Sequence, residues 1–178
     1  MSNEEIKVYL SSPYEHDRAD TYWKESIGRF MFTKDGRVRT VDPCPDRCDE
    51  ADLINKMKAS GDWLGVYSFC ANIVESDLAM LNRCEGMIAY LPCDARTFGT
   101  THEIIYALAN NIPIVMVMPE GIDKVAHWLW GILGPNRIFD NLEEAAETLV
   151  KRMQVARGEK VNDTIYYPKR LREENING

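Results

Sequence analysis

The chain is short of basic charge, of histidine and of long apolar runs, and each shortage removes a class of function. Lys and Arg number 21 against 28 Asp and Glu, for a formal net charge of −7. Nonspecific nucleic-acid binding draws on a surplus of Lys and Arg, so nucleic acid is not an expected partner. No apolar run approaches the roughly 20 residues of a membrane span, so no membrane partner is expected. The first residues, MSNEEIKVYL, lack a basic stretch followed by a long apolar core. No signal peptide is therefore expected, and the cytoplasm is the expected compartment.

Histidine occurs three times. The run His102-Glu103-Ile104-Ile105-Tyr106 lacks the second histidine of HExxH, which excludes that kind of zinc hydrolase. A GxSxG elbow, a P-loop and a GxGxxG turn after the first strand are all missing, so serine-hydrolase, P-loop and dinucleotide chemistries are not expected. The five cysteines are Cys44, Cys48, Cys70, Cys84 and Cys93. Only Cys44 and Cys48 lie close, and no second close pair exists to complete a metal site. Reduced, unliganded thiols, no metal and no cofactor are the expectation.

What is present is a globular composition: 178 residues, 45% of them hydrophobic, enough for one domain with a substantial core. Ile6 to Leu10 is a short β-rich run that stops at Ser11-Ser12-Pro13. Asp20 to Phe32 has a helical pattern with Asp17 or Asp20 as cap. Asp35-Gly36 is a turn, and Val38 to Val41 a second strand. The segment 42–61, rich in Asp, Pro and Cys, is expected to be a long connection with one short helix, Glu50 to Lys58. Asp62 to Asn82 is a long helix in which Val66, Cys70, Ile73, Val74, Leu78 and Leu81 recur at helical spacing. Met87 to Leu91 and Ile112 to Met118 are apolar strands, with a helix from Gly99-Thr100 between them. Pro119-Glu120-Gly121 is a turn before an aromatic segment holding His127, Trp128 and Trp130. Arg137 to Phe139 is a final strand, and Asn141 to Gln154 an amphipathic helix.

Strands alternate with helices, which predicts an α/β fold: a three-layer, flavodoxin-like or Rossmann-like domain with a mostly parallel five-stranded sheet. The domain is expected to span 1–157. The charged tail 158–178 is interrupted by Ile165-Tyr166-Tyr167-Pro168, which suggests packing on a neighbouring subunit.

The stretch from Gly86 to Met118 carries the chemistry. It forms a strand–loop–helix–strand unit with a carboxylate, Glu103, where the first strand hands over to the helix. In open α/β sheets, ligands lie at the carboxyl ends of the strands. Gly99-Thr100 offers a close-approach backbone and a capping box from Thr100 to Glu103. The loop ahead supplies Asp94 and Thr97. The helix dipole is expected to keep the Glu103 carboxylate ionised, as a nucleophile requires. Asp77 lies within the apolar stripe of its helix, four residues from both Ile73 and Leu81. An unpaired buried charge is costly, so Asp77 needs a partner or a cavity. A carboxylate nucleophile beside a second acid suits attack at the anomeric carbon of a sugar, through an oxocarbenium-like state. Asp77 and Asp94 are the candidates for protonating the leaving atom.

These residues bring a resemblance with them. The chain resembles the nucleoside 2-deoxyribosyltransferase family over Val8 to about Phe139. The similar segments are Val8-Tyr9-Leu10-Ser11-Ser12-Pro13, Glu75-Ser76-Asp77-Leu78, Gly99 through Ala109 with Ile112-Pro113-Ile114 after it, and Ala126 to Gly131. The resemblance implies that Glu103 attacks C1′ of a 2′-deoxynucleoside and holds the sugar covalently until an incoming free nucleobase takes it. It implies that Tyr9 orients Glu103 and that Asp77 contacts sugar or base. It places Ser11, Ser12, Pro13, Thr97, Gly99, Thr100 and Trp128 at the substrate. It also implies a homo-oligomer in which a neighbour's C-terminal segment completes the pocket.

Two positions depart from the family's pattern. Thr97 stands where the family usually carries an Asp, with Asp94 as its possible substitute. Ser-Ser-Pro replaces the commoner Ala-Gly-Pro turn and resembles relatives that cleave nucleotides, in which Ser12 and Arg18 would hold a 5′-phosphate. Two alternatives follow: a deoxynucleoside 5′-monophosphate N-glycosidase, and a nucleotide-binding module without turnover.

Overall fold

The computed structural model describes residues 4–13, 22–43, 48–95 and 98–159. Five strands form one sheet: β1 (Ile6–Ser11), β2 (Val38–Val41), β3 (Gly86–Tyr90), β4 (Ile114–Val117) and β5 (Ile138–Phe139). Their order is β2-β1-β3-β4-β5, and every neighbouring pair is parallel. The helices are α1 (Tyr22–Lys34), α2 (Cys48–Ser60), α3 (Trp63–Leu81), α4 (Phe98–Ala109), α5 (His127–Leu133) and α6 (Leu142–Ala156). This is the three-layer, flavodoxin-like α/β arrangement expected from the sequence.

The layers follow from side-chain alternation along the strands. Val8, Leu10, Ile88, Val115 and Val117 point to one face, where Trp23, Ile27 and Met31 of α1 and Ala145, Ala146, Leu149 and Met153 of α6 cover them. Tyr9, Met87, Ala89, Ile114 and Met116 point to the other, under Leu81 of α3, Ile104 and Ala107 of α4, and Leu129 and Leu133 of α5. β4 is buried along its whole length, and β3 along all but its last residue. A parallel sheet covered on both faces requires this, and it explains the unbroken apolar runs in the sequence.

Several elements differ from expectation. The helix in segment 42–61 runs for 13 residues and packs on α3, so the segment is not mainly loop. The final strand has two residues, because Arg137 belongs to a 3-10 turn, Pro135–Arg137. β4 keeps Ile114–Val117 of the longer expected run. The stripe on α3 forms a helix as expected, with Asp62 as its cap accepting from the Gly65 amide. That stripe is not core, however: among the residues of α3 only Leu81 is buried. Trp63 is 66% exposed and Tyr67 71% exposed.

Geometry accounts for this. A 19-residue helix rises about 28 Å, whereas a five-residue strand such as β3 covers roughly 17 Å. The C-terminal turn of α3 docks at the start of β3, so its N-terminal turns extend past the carboxyl edge of the sheet.

Candidate active site

β1 ends at the carboxyl edge of the sheet, between β2 and β3. The chain crosses the sheet in opposite directions on leaving β1 and β3, which makes this edge the crevice where α/β folds take ligands. Tyr9 and Ser11 are two apart on β1 and therefore share a face. Their ladder partners on β3 are Met87 and Ala89. Both side chains are buried, Tyr9 at 0% and Ser11 at 1% exposure.

Glu103 reaches them from the second turn of α4. The Tyr9 hydroxyl donates to Glu103 Oε1 at 2.7 Å. The Ser11 hydroxyl donates to Glu103 Oε2. Each carboxylate oxygen thus holds one hydroxyl donor from the same strand. Burial pushes the Glu103 carboxyl above its ordinary range, and the negative charge of Asp77 adds to this. The Ser11 and Tyr9 hydrogen bonds and the nearby His102 pull it back down. Asp77 is partly buried on α3, close enough for its charge to act on Glu103.

Other expected residues stand in different relations to this cluster. Asp94 is exposed on the turn after β3, and the interactions of Glu103 do not include it. Thr100 is buried in the first turn of α4. The helix begins at Phe98, before Gly99, so Thr100 is not its cap and does not form a capping box with Glu103. The first turn of α4 holds no acid, and Glu103 lies in the second; the two hydroxyls and His102 favour its charged form. A Cβ at Gly99 would meet no atom of the described residues within 4 Å. Trp128 is exposed in the first turn of α5. Ser12 is partly buried and Pro13 buried, just beyond β1. Thr97, Arg18, the caps Asp17 and Asp20 and the tail from 160 onward lie outside the described residues.

The sequence did not single out Ser11 as a partner of Glu103, although the alternation that buries Tyr9 puts Ser11 beside it. Nor did it single out a second polar group at the same edge on the opposite face. There Lys24, 6% exposed, pairs with Asp42 at 2.8 Å, and Trp23 stacks on Tyr90 with ring centroids 4.7 Å apart. Lys24 stands beside Trp23 in the apolar stripe of α1, where a charge needs a partner.

Among the described residues, no group of three or more His, Cys, Asp or Glu side chains could hold a metal ion. Cys70, Cys84 and Cys93 are free thiols, and burial pushes the Cys84 thiol up to about 11, which makes it inert at neutral pH. Among those residues no helix is long and apolar enough to cross a membrane. The two hydrogen bonds on Glu103 suit carboxylate chemistry: an oriented Glu103 at a ligand crevice, with a second acid near it. Comparison with known proteins found no family model and no curated protein that matches the chain.

Proposed function

We propose that the protein is a nucleoside 2-deoxyribosyltransferase, acting in nucleotide metabolism as a homo-oligomer without a cofactor. The supporting observation is the Glu103 carboxylate at the carboxyl edge of the sheet, gripped on both oxygens by hydroxyls of β1, with Asp77 beside it. A nucleophile needs a fixed direction of attack, which this double grip supplies.

In the proposed cycle, a Glu103 oxygen forms a bond to C1′ as the C1′–N bond breaks. The bonding pair leaves on the base nitrogen, and Asp77 or Asp94 supplies the proton that neutralises it. An incoming base then attacks C1′ through its own nitrogen lone pair. The ester bond to Glu103 breaks, the carboxylate is restored, and the incoming base returns its proton to the acid that protonated the departing one. Two inversions leave the sugar with its original configuration.

The uncovered stripe on α3 supports self-association. Trp63, Tyr67, Cys70 and Val74 follow helical spacing, and the same spacing continues to Asp77 and Leu81. On α3 the acids Glu75 and Asp77 lie in the C-terminal half, so the Trp63–Tyr67 end can meet its own two-fold copy without bringing charges together. A second copy there would lie next to the Asp77–Glu103 pair.

Incubation with deoxyinosine and free adenine tests this function. Formation of deoxyadenosine is the expected result. Release of base and deoxyribose phosphate from a deoxynucleoside monophosphate, with no exchange, would assign the hydrolase instead. Absence of both reactions across varied bases would overturn the enzymatic assignment.

A further inference from the structure

We propose that Ser11 is a positioning residue for Glu103: its hydroxyl completes a two-donor clamp with Tyr9 that fixes the carboxylate and selects its ionised form. This inference rests on the assignment of Glu103 as the nucleophile, and it gives Ser11 a role other than binding substrate.

The clamp is built from the strand. Residues two apart on β1 point to one face, and the parallel ladder to β3 fixes both Cα positions. Tyr9 and Ser11 are both buried at that face, so neither hydroxyl can turn to bulk water. Each donates to a different oxygen of Glu103. A hydroxyl carries one proton, and an ionised carboxylate is an acceptor only. The match is complete when Glu103 is charged. Protonating Glu103 puts a hydrogen on one oxygen, and the hydroxyl facing that oxygen must rotate away and accept instead. The clamp thus penalises the neutral acid, which cannot attack carbon.

It does so against opposing forces. Burial disfavours the charge, and so does Asp77 on α3. His102, on α4 itself, and Tyr9, on β1, favour it. Of the influences that lower the Glu103 pKa, the Ser11 hydrogen bond is the largest.

The test is a carbon-13 NMR titration of the full-length protein labelled at glutamate carboxyls, with the Glu103 signal assigned by its loss in Glu103→Gln. In Ser11→Ala, the Glu103 pKa is expected to rise by about one unit, a tenfold change in the ionisation constant. Ser11→Thr keeps a hydroxyl and should bring the value back towards that of the unmodified protein. If Ser11→Ala does not fold, Ser11→Cys keeps nearly the volume of serine and replaces the hydroxyl by a thiol, a much weaker donor, so the same rise is expected. A Glu103 pKa unchanged by removal of the hydroxyl would overturn the proposal. So would an equal rise in Ser11→Thr, which would point to packing alone. Where base exchange is observed, the acid limb of kcat/KM should move upward with the titration. A shifted titration in a protein with neither exchange nor hydrolysis would remove the proposed activity and leave the clamp standing.

Discussion

The two faces of the sheet are made from alternate residues of the same strands, yet they are finished differently. On the α1/α6 face, aliphatic and aromatic side chains pack together, and the buried charge Lys24 has Asp42 at 2.8 Å. On the α3/α4/α5 face, the same alternation delivers two hydroxyls to a carboxylate whose charge burial opposes. The helix above that carboxylate leaves an apolar stripe uncovered. One face is closed by the two helices that cover it. The other keeps an unfavourable charge and an unfinished surface, as expected of a face that acts on ligands or partners.

Changes on each side can break this contrast. The largest effect belongs to Glu103→Gln, which keeps the shape and removes the charge. Turnover should fall on the order of 10³-fold or more. The stability effect has the opposite sign. The folded protein raises the Glu103 pKa, so this group favours folding while protonated, and the benefit is lost as pH rises through the folded value. At neutral pH Glu103→Gln should therefore raise Tm, by about 2–4 °C for each kcal/mol gained in a chain of this size. A lower Tm, or near-normal turnover, would contradict the account.

On the closed face, Leu149→Ala should lower stability by about 2–4 kcal/mol in denaturant unfolding, with the activity of the folded fraction retained. The mirror experiment is Tyr67→Glu. Its site is exposed in the monomer, so monomer stability should change by less than about 0.5 kcal/mol. Sedimentation velocity should nonetheless show the variant in a smaller assembly than the unmodified protein. The same assembly in both would show that the α3 stripe is not an interface.

Much of the fold could be read from the pattern of residues. β3 and β4 were legible because a doubly covered parallel strand must be apolar without interruption. Glu103 was legible because strand, loop and helix in that order put the helix start at the ligand edge. Tyr9 was legible only through the resemblance, since a strand tyrosine is commonplace. Ser11 was noticed for its small size, whereas its action depends on a side chain 92 residues away. No local pattern encodes that separation. The spacing from Thr100 to Glu103 matches a capping box, but four residues cannot say where a helix begins, and α4 starts at Phe98. Periodicity on α3 revealed one apolar face. It could not say whether the same chain covers that face, because that depends on helix length relative to the strands. In segment 42–61 the helix was legible from Glu50 to Lys58, and only its extent, 13 residues from Cys48 to Ser60, was underestimated, because Asp and Pro favour turns.

The central claim is that the carboxylate of Glu103 bonds to the sugar. Reaction with a 2-fluoro-arabinosyl nucleoside, whose fluorine slows release of the glycosyl enzyme, followed by peptide mass spectrometry, tests it directly. The account predicts a fluoro-sugar mass on the peptide containing Glu103, absent in Glu103→Gln. A sugar adduct on any other residue, or one that persists in Glu103→Gln, would contradict it.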